Sequence, residues 1–247
     1  MKIDVMEVCL LAGKIMLQSG AETYRVEDTM MRMASSFGAK ESHSYVTPTG
    51  IMFSLECEQP TKTKLIRITD RTTDLHKITL VNSVSREISN KELTLEEAYE
   101  SLQQIESSTP SYPIIVQVLA AAIASGCFLI MFQGTWNDFF PAVVTGGIGL
   151  ISFIYAQRLV PIRFFSEFVA SLIIGILSWI FIYIGWGEQL DKIIIGSVMP
   201  LVPGLVLTNA VRDLMAGHLV SGLSKGAEAL LTAFAIGSGI AVVLTFI

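Results

Sequence analysis

From residue 114 onward the chain is a succession of apolar stretches: Ile114–Phe132, Phe139–Ala156, Phe168–Tyr183, Ile193–Leu207 and Ala229–Ile247. A helix needs about 20 such residues to cross the hydrocarbon of a bilayer. These stretches exclude a wholly soluble protein. Charge is segregated to match. Residues 1–112 hold 12 Lys/Arg and 16 Asp/Glu, whereas the 135 positions after them hold five and six. The net charge of −5 leaves no basic footprint for nucleic acid. The acidic balance of the first 112 residues also argues against a polybasic lipid-binding arm. The expected fold class is an α+β cytoplasmic N-terminal domain, residues 1–112 with linker, followed by an all-α membrane domain of five transmembrane helices, residues 113–247.

Within the first part, apolar residues at Val5, Val8, Leu11 and Ile15 predict a helix that stops before Gly20. Val26, Met30, Met33 and Phe37 predict a second from about Glu22 to Phe37, with Ser19 and Glu22 fitting a capping box at its start. Tyr45–Thr47 and Ile51–Leu55 flank Pro48-Thr49-Gly50 and read as a hairpin. Lys64–Thr69 alternates as a third strand. Helical patterns return at Asp74–Ile88 and Leu95–Ile105, and the domain ends at the Ser/Pro-rich run Ser107–Pro113.

Asp4, Glu7 and Lys14 interrupt any apolar run near the N-terminus, which argues against a signal peptide and predicts a cytoplasmic location for the first hundred residues. Lys/Arg counts between the spans agree. The first and third loops hold none and one, the second and fourth hold two each, so the N-terminus is expected inside the cell membrane and the C-terminus outside. Ala120–Ala122 with Ser125-Gly126, Gly146-Gly147 with Gly149, and Gly237 with Gly239 form small-residue faces that let helices approach closely. The bulky third span (Leu172, Ile173, Ile174, Leu177, Trp179, Phe181) is expected to face lipid. Five small-faced helices enclose little alone, so a homo-oligomer or a second membrane protein is expected to complete any pathway.

The densest functional signal follows Pro200. Pro203 and Gly204 cannot continue an unbroken helix, and broken spans form substrate and ion sites in many transporters; the blander reading is a packing kink. Asn209 can reach Arg212 or Asp213, and His218, Ser221, Lys225 and Glu228 share one helical stripe. Arg212 could grip a carboxylate bidentately. Asp213 or Glu228 could take an ammonium or a proton. The alternative makes Arg212 and Lys225 topology signals with local acidic partners. Gln117 reads as helix glue and Glu167 as a boundary partner of Arg163. Neither the histidines (His43, His76, His218) nor the cysteines (Cys9, Cys57, Cys127) have metal-ligand spacing. No phosphate-cradling glycine loop and no hydrolase triad at Ser54 or Ser221 are evident, so no cofactor and no catalytic residue are expected.

Two sets of residues together resemble the threonine/serine exporter family: Leu11–Glu27, with Gly20, Glu22, Arg25 and Glu27, followed by Val46-Thr47-Pro48-Thr49-Gly50; and Pro203-Gly204, Leu207–Leu214, Gly217, Ser221-Gly222 and Glu228-Ala229. The resemblance implies export of small polar metabolites, threonine and serine or a dicarboxylate such as succinate. It also implies a smaller all-membrane partner when the transporter is split in two. It implies an acidic residue after Gly217, where this chain has His218, and an arginine where Lys225 stands. The function expected is a secondary, proton-coupled exporter of carboxylate-bearing metabolites. Its site residues would be Pro203, Gly204, Asn209, Arg212, Asp213, His218, Ser221 and Glu228. The alternative is a membrane-anchored enzyme or sensor whose N-terminal domain acts, with Glu22, Arg25 and Glu27 as candidates. No second buried cation is evident from the sequence, which favours an amino acid over a dicarboxylate unless the partner supplies one.

Overall fold

The structure is a computed structural model that describes residues 3–56, 61–108, 112–160, 162 and 164–246. Cys57, Arg163 and positions 109–111 of the expected linker lie outside the described residues. The chain divides into two compact units, Met1–Pro110 with Leu205–Ala227, and Ser111–Gly204 with Glu228–Ile247.

In the first unit, α1 (Val5–Gln18) is the central helix. It packs on α2 (Thr23–Ser36), α3 (Leu75–Ser89), α4 (Leu95–Ser107) and the sheet. The expected stripe is only part of what α1 buries, since Met6, Cys9, Leu10, Met16 and Leu17 are also sealed in. A helix covered on several sides is apolar all round. The sheet is an antiparallel meander, β1 (Glu41–Thr47), β2 (Gly50–Glu56) and β3 (Lys62–Arg67). Its register pairs Thr47 with Gly50 across Pro48-Thr49. Val46, Ile51, Phe53 and Leu55 face the core, while Tyr45, Met52 and Leu65 lie on the open face. Edge strand β3 carries Lys62, Lys64 and Arg67, charges that discourage edge-to-edge pairing. Lys62 and Lys64 are tied to Asp4 (2.7 Å) and Glu7 (3.5 Å) at the start of α1. The capping box falls on α4, where Thr94 and Glu97 hold each other's backbone N–H. The one expected at Ser19 and Glu22 is not formed: Ser19 ends α1, and Glu22 makes no side-chain cap on α2.

The second unit contains α5 (Ile114–Met131), α6 (Trp136–Leu159), α7 (Phe165–Tyr183), α8 (Leu190–Val198) and the later turns of α10 (Leu219–Thr245). Helix α6 packs against α5, α7 and α8. Its seams are lined by Ala121, Ala122, Ser125, Ala142, Gly146, Gly149 and Ser197, all buried. Gly239 lets α10 close on α7, since a Cβ there would strike the Phe168 carbonyl and the Leu172 nitrogen. Helix α7 is not simply lipid-facing as expected, because Ala170, Ser171, Ile174 and Ser178 are fully buried. Ser125 and Ser178 satisfy their hydroxyls on the carbonyls of Ala121 and Ile174, one turn back. Gln117 donates to the Tyr112 carbonyl just ahead of its own helix instead of gluing helices together.

The expected fold class is overturned. Among the described residues the chain is mostly helical, with ten α-helices and a single three-stranded sheet, and a large cytoplasmic domain followed by five spans is not what it forms. Four helices are long and apolar enough to cross a membrane: α5, α6, α7 and α10. A fifth exists only if a bent pair, Leu190–Leu201 and Gly204–Met215, is taken as one span. The physical reason is proline. Helix α8 tightens into a 3₁₀ turn at Met199–Leu201, Val202 turns extended (ψ 129°), and α9 (Gly204–Met215) restarts after Pro203.

Candidate functional site

The polar residues of α9 and the start of α10 are not solvated neighbours of one another; within the first unit they converge on the Gly20–Glu27 segment. Gly20 ends α1 with φ +87°, a left-handed conformation that favours glycine. The chain then reverses through Ala21 and Glu22 into α2, exposing two carbonyls and the orphan N–H groups of a helix start. Asn209 Nδ2 donates to the Gly20 carbonyl at 2.8 Å, and Lys225 Nζ donates to that of Ala21 at 3.1 Å. Asp213, fully buried, accepts from the Thr23 backbone N–H at 3.0 Å. A carboxylate 190 residues away therefore does what the expected capping box would have done, and it complements the positive end of α2. Lys225 Nζ also lies 2.9 Å from Asp213 Oδ2. That contact is an ion pair without hydrogen-bond alignment, since Oδ2 makes no hydrogen bond. An alanine at Gly20 would be strained and would press on the Thr72 carbonyl, 3.3 Å from its Cβ. Gly20→Ala should cost about 1–2 kcal/mol, read as a lower unfolding midpoint by circular dichroism in detergent.

Beside this pair, Glu22 is shared by two guanidinium groups. Arg212 approaches Oε1 at 2.6 Å and Arg25 approaches Oε2 at 3.2 Å. The Glu22 side chain is 6% exposed, those of Arg25 and Arg212 38% and 56%. Burial pushes the Glu22 carboxyl up. Its own backbone N–H, the Arg212 hydrogen bond and the charges of both arginines outweigh that and hold it below the ordinary carboxylate value. A depressed value means that its stabilising contribution is present above about pH 4.3 and is lost as pH falls through the folded value. Glu22→Gln should flatten the acid limb of α2 stability, measured as amide-exchange protection of residues 23–36 against pH.

A third junction joins α2, β1 and the α9–α10 turn. Glu27 Oε1 accepts from the Val46 N–H at 2.7 Å and lies 3.7 Å from His218 Nδ1. Ser221 Oγ donates to the Val46 carbonyl at 3.0 Å. Burial raises the Glu27 carboxyl above its ordinary value; Val46 and His218 oppose this, and Asp213 adds to it.

The structure thus brings together Gly20, Glu22, Arg25, Glu27, Asn209, Arg212, Asp213, His218 and Ser221. Pro48 lies in the β1–β2 turn, two residues from Val46. Pro203, Gly204 and Glu228 belong to the second unit. Asn209 bonds to Gly20 and not to Arg212 or Asp213, and Glu27, which helix spacing points away from Glu22, finds partners of its own. Lys225 was left as a topology signal by sequence reasoning, although its place on the Ser221 stripe was visible. Asp138 was missed outright. It is fully buried in the first turn of α6 and accepts from Thr135 Oγ1 (2.7 Å) and the N–H groups of Glu188 (2.6 Å) and Gln189 (3.3 Å). The only signal for it was a lone acid opening an apolar run. His43 is a surface residue, 79% exposed and 3.7 Å from Glu41. Among the described residues no cluster of His, Cys, Asp and Glu could hold a metal ion.

Several helices long and apolar enough to cross a membrane define a multi-pass membrane protein. Residues 7–247 match the family described as "Putative threonine/serine exporter", and the chain belongs to that family. It is 27% identical over 248 residues to the "Probable succinate transporter subunit YjjP" of Klebsiella aerogenes, covering 98% of this chain and 93% of that protein. It is 25% identical to the Escherichia coli protein of the same name, covering 98% and 94%. It is 24% identical to the "Threonine/serine exporter" of Corynebacterium glutamicum, covering 96% of this chain and 50% of that protein. No solved structure matches the chain.

Proposed function

We propose that the chain is one subunit of a secondary, proton-coupled exporter of small dicarboxylates, with Arg212 and Arg25 as the carboxylate-binding groups. The observation that carries this reading is the sharing of the Glu22 carboxylate by two half-exposed guanidinium groups. Each guanidinium has five donors in a planar fork suited to carboxylates, and two of them side by side leave one positive charge beyond what Glu22 neutralises. The preference for an amino acid rested on the lack of a second buried cation; Arg25, half-exposed, stands beside Arg212 and can supply the second positive charge. The relatives named as succinate transporter subunits, matched over nearly their whole length, support the same solute class and a further membrane subunit. The excess of Lys/Arg before residue 113 supports an N-terminus on the cytoplasmic side.

The test is efflux from preloaded cells that lack endogenous exporters, comparing succinate with threonine, for this chain alone and with a candidate small membrane partner. Succinate efflux that requires the partner is the expected result. Efflux of neither solute, with membrane insertion and partner verified, would overturn the exporter reading.

A further inference from the structure

The Glu27 junction is not needed to hold a carboxylate substrate, yet it is built with care. Glu27 projects from α2 onto the Val46 N–H, inside strand β1, while Ser221 of α10 takes the carbonyl of the same residue. Val46 itself is 1% exposed. Strand β1 pairs with β2 on one edge only, and Glu27 and Ser221 take the N–H and carbonyl of Val46. His218, in the turn joining α9 to α10, completes the junction at 3.7 Å. The Glu27 side chain is 13% exposed and that of His218 is 24% exposed, so the pair is sheltered while the imidazole still meets solvent.

The charged groups acting on Glu27 from the elements around it are His218 in the turn and Asp213 on α9, and they pull in opposite directions. Asp213 is in turn neutralised by Lys225 of α10. A sheltered carboxylate with an acid and a histidine acting on it is held by burial above its ordinary value. Two contacts depend on its charge: the attraction to His218 and the charge-assisted part of the Val46 hydrogen bond. The first ties the turn that follows Arg212 and Asp213 to α2, and the second ties β1 to α2.

We propose that Glu27 is a proton-binding site of this protein, and that proton uptake there loosens α2 from the α9–α10 turn and from β1 and so couples protonation to the Arg212–Asp213 segment. The step is simple protonation: a carboxylate oxygen gains a proton from solvent, and the group passes from −1 to neutral. The carboxylate's attraction to His218 is then lost, and Ser221 still holds the turn to Val46. This rests on the exporter reading for its purpose but not for its test.

The test follows amide hydrogen exchange of a peptide spanning Tyr45–Thr47 in the full chain in detergent, from pH 4.5 to 8, corrected for the intrinsic pH dependence of exchange and measured without substrate. In the native protein, protection should fall at least about fivefold on acidification, with a midpoint above the ordinary carboxylate value. The helix of residues 5–18 should show no such transition. Glu27→Gln should abolish the transition. His218→Asn removes a counter-charge that favours the ionised acid, so it should move the midpoint to higher pH. A pH-independent profile in the native protein, or an unchanged midpoint in His218→Asn, would overturn the proposal, even if Glu27→Gln failed to fold. Loss of solute efflux with this titration intact would instead remove the exporter reading and leave the proton site standing.

Discussion

Asp213→Ala is expected to be the most damaging single substitution at the site, costing about 3–5 kcal/mol because it strands a buried Lys225 charge. Two losses combine. Lys225, 5% exposed, would keep only the Ala21 carbonyl, and the Thr23 N–H at the start of α2 would lose its acceptor. Asp213→Asn retains an oxygen for Thr23 and should cost less, but it still leaves Lys225 without a counter-charge. Lys225→Met strands the carboxylate in the same way. The diagnostic experiment is the double variant Asp213→Asn with Lys225→Met. If the pair is coupled as the geometry indicates, the double variant should be more stable than Lys225→Met alone and should regain much of the loss. Denaturant unfolding in detergent followed by circular dichroism, with α2 exchange protection as the local readout, measures the coupling directly. Strictly additive losses would show that the 2.9 Å contact contributes nothing of its own.

The second large effect concerns transport and not folding. Arg212→Ala removes one of two partners of Glu22, and Arg25 remains to pair it, so the unit should stay folded. A hydrogen bond to a charged group is worth about 1.5–3 kcal/mol, which predicts roughly a 10- to 150-fold fall in dicarboxylate efflux. Arg25→Ala should produce a loss of similar size for a dicarboxylate, whose two ends each need a cation. For threonine, with a single carboxylate, loss of Arg212 should matter and loss of Arg25 should matter much less. Arg212→Lys keeps the charge but not the planar fork and should recover only part of the rate. Wild-type efflux in Arg212→Ala, at normal membrane levels, would remove the carboxylate-site assignment.

Legibility differed from element to element for physical reasons. Periodicity found α1 to α4 and the hairpin because core burial repeats at 3.6 and 2 residues, a property of the local chain. It also found the proline break, since Pro203 has no N–H wherever it sits. The fold class failed because Ile193–Leu207 reads as one apolar run, although α8 ends at Val198 and the chain restarts as Gly204–Met215. Its Asn209, Arg212 and Asp213 nevertheless find their partners in the first unit. The capping box failed for another reason: Ser19 and Glu22 have the right spacing, but Ser19 caps the end of α1 and Glu22 is the N-cap of α2, so no helix starts at Ser19. Asp138 was hidden because, Thr135 apart, its partners Glu188 and Gln189 lie 50 and 51 residues away.

By itself, then, the sequence determined that the chain is a membrane protein with a polar N-terminal region, and it marked both clusters of unusual residues. Apolar length and charge segregation are properties of composition along the chain, and they need no partner to be read. Only the tertiary structure decided that the two clusters are one. A buried charge is tolerable only when paired, and which carboxylate meets which cation across 190 residues is set by packing, not by spacing.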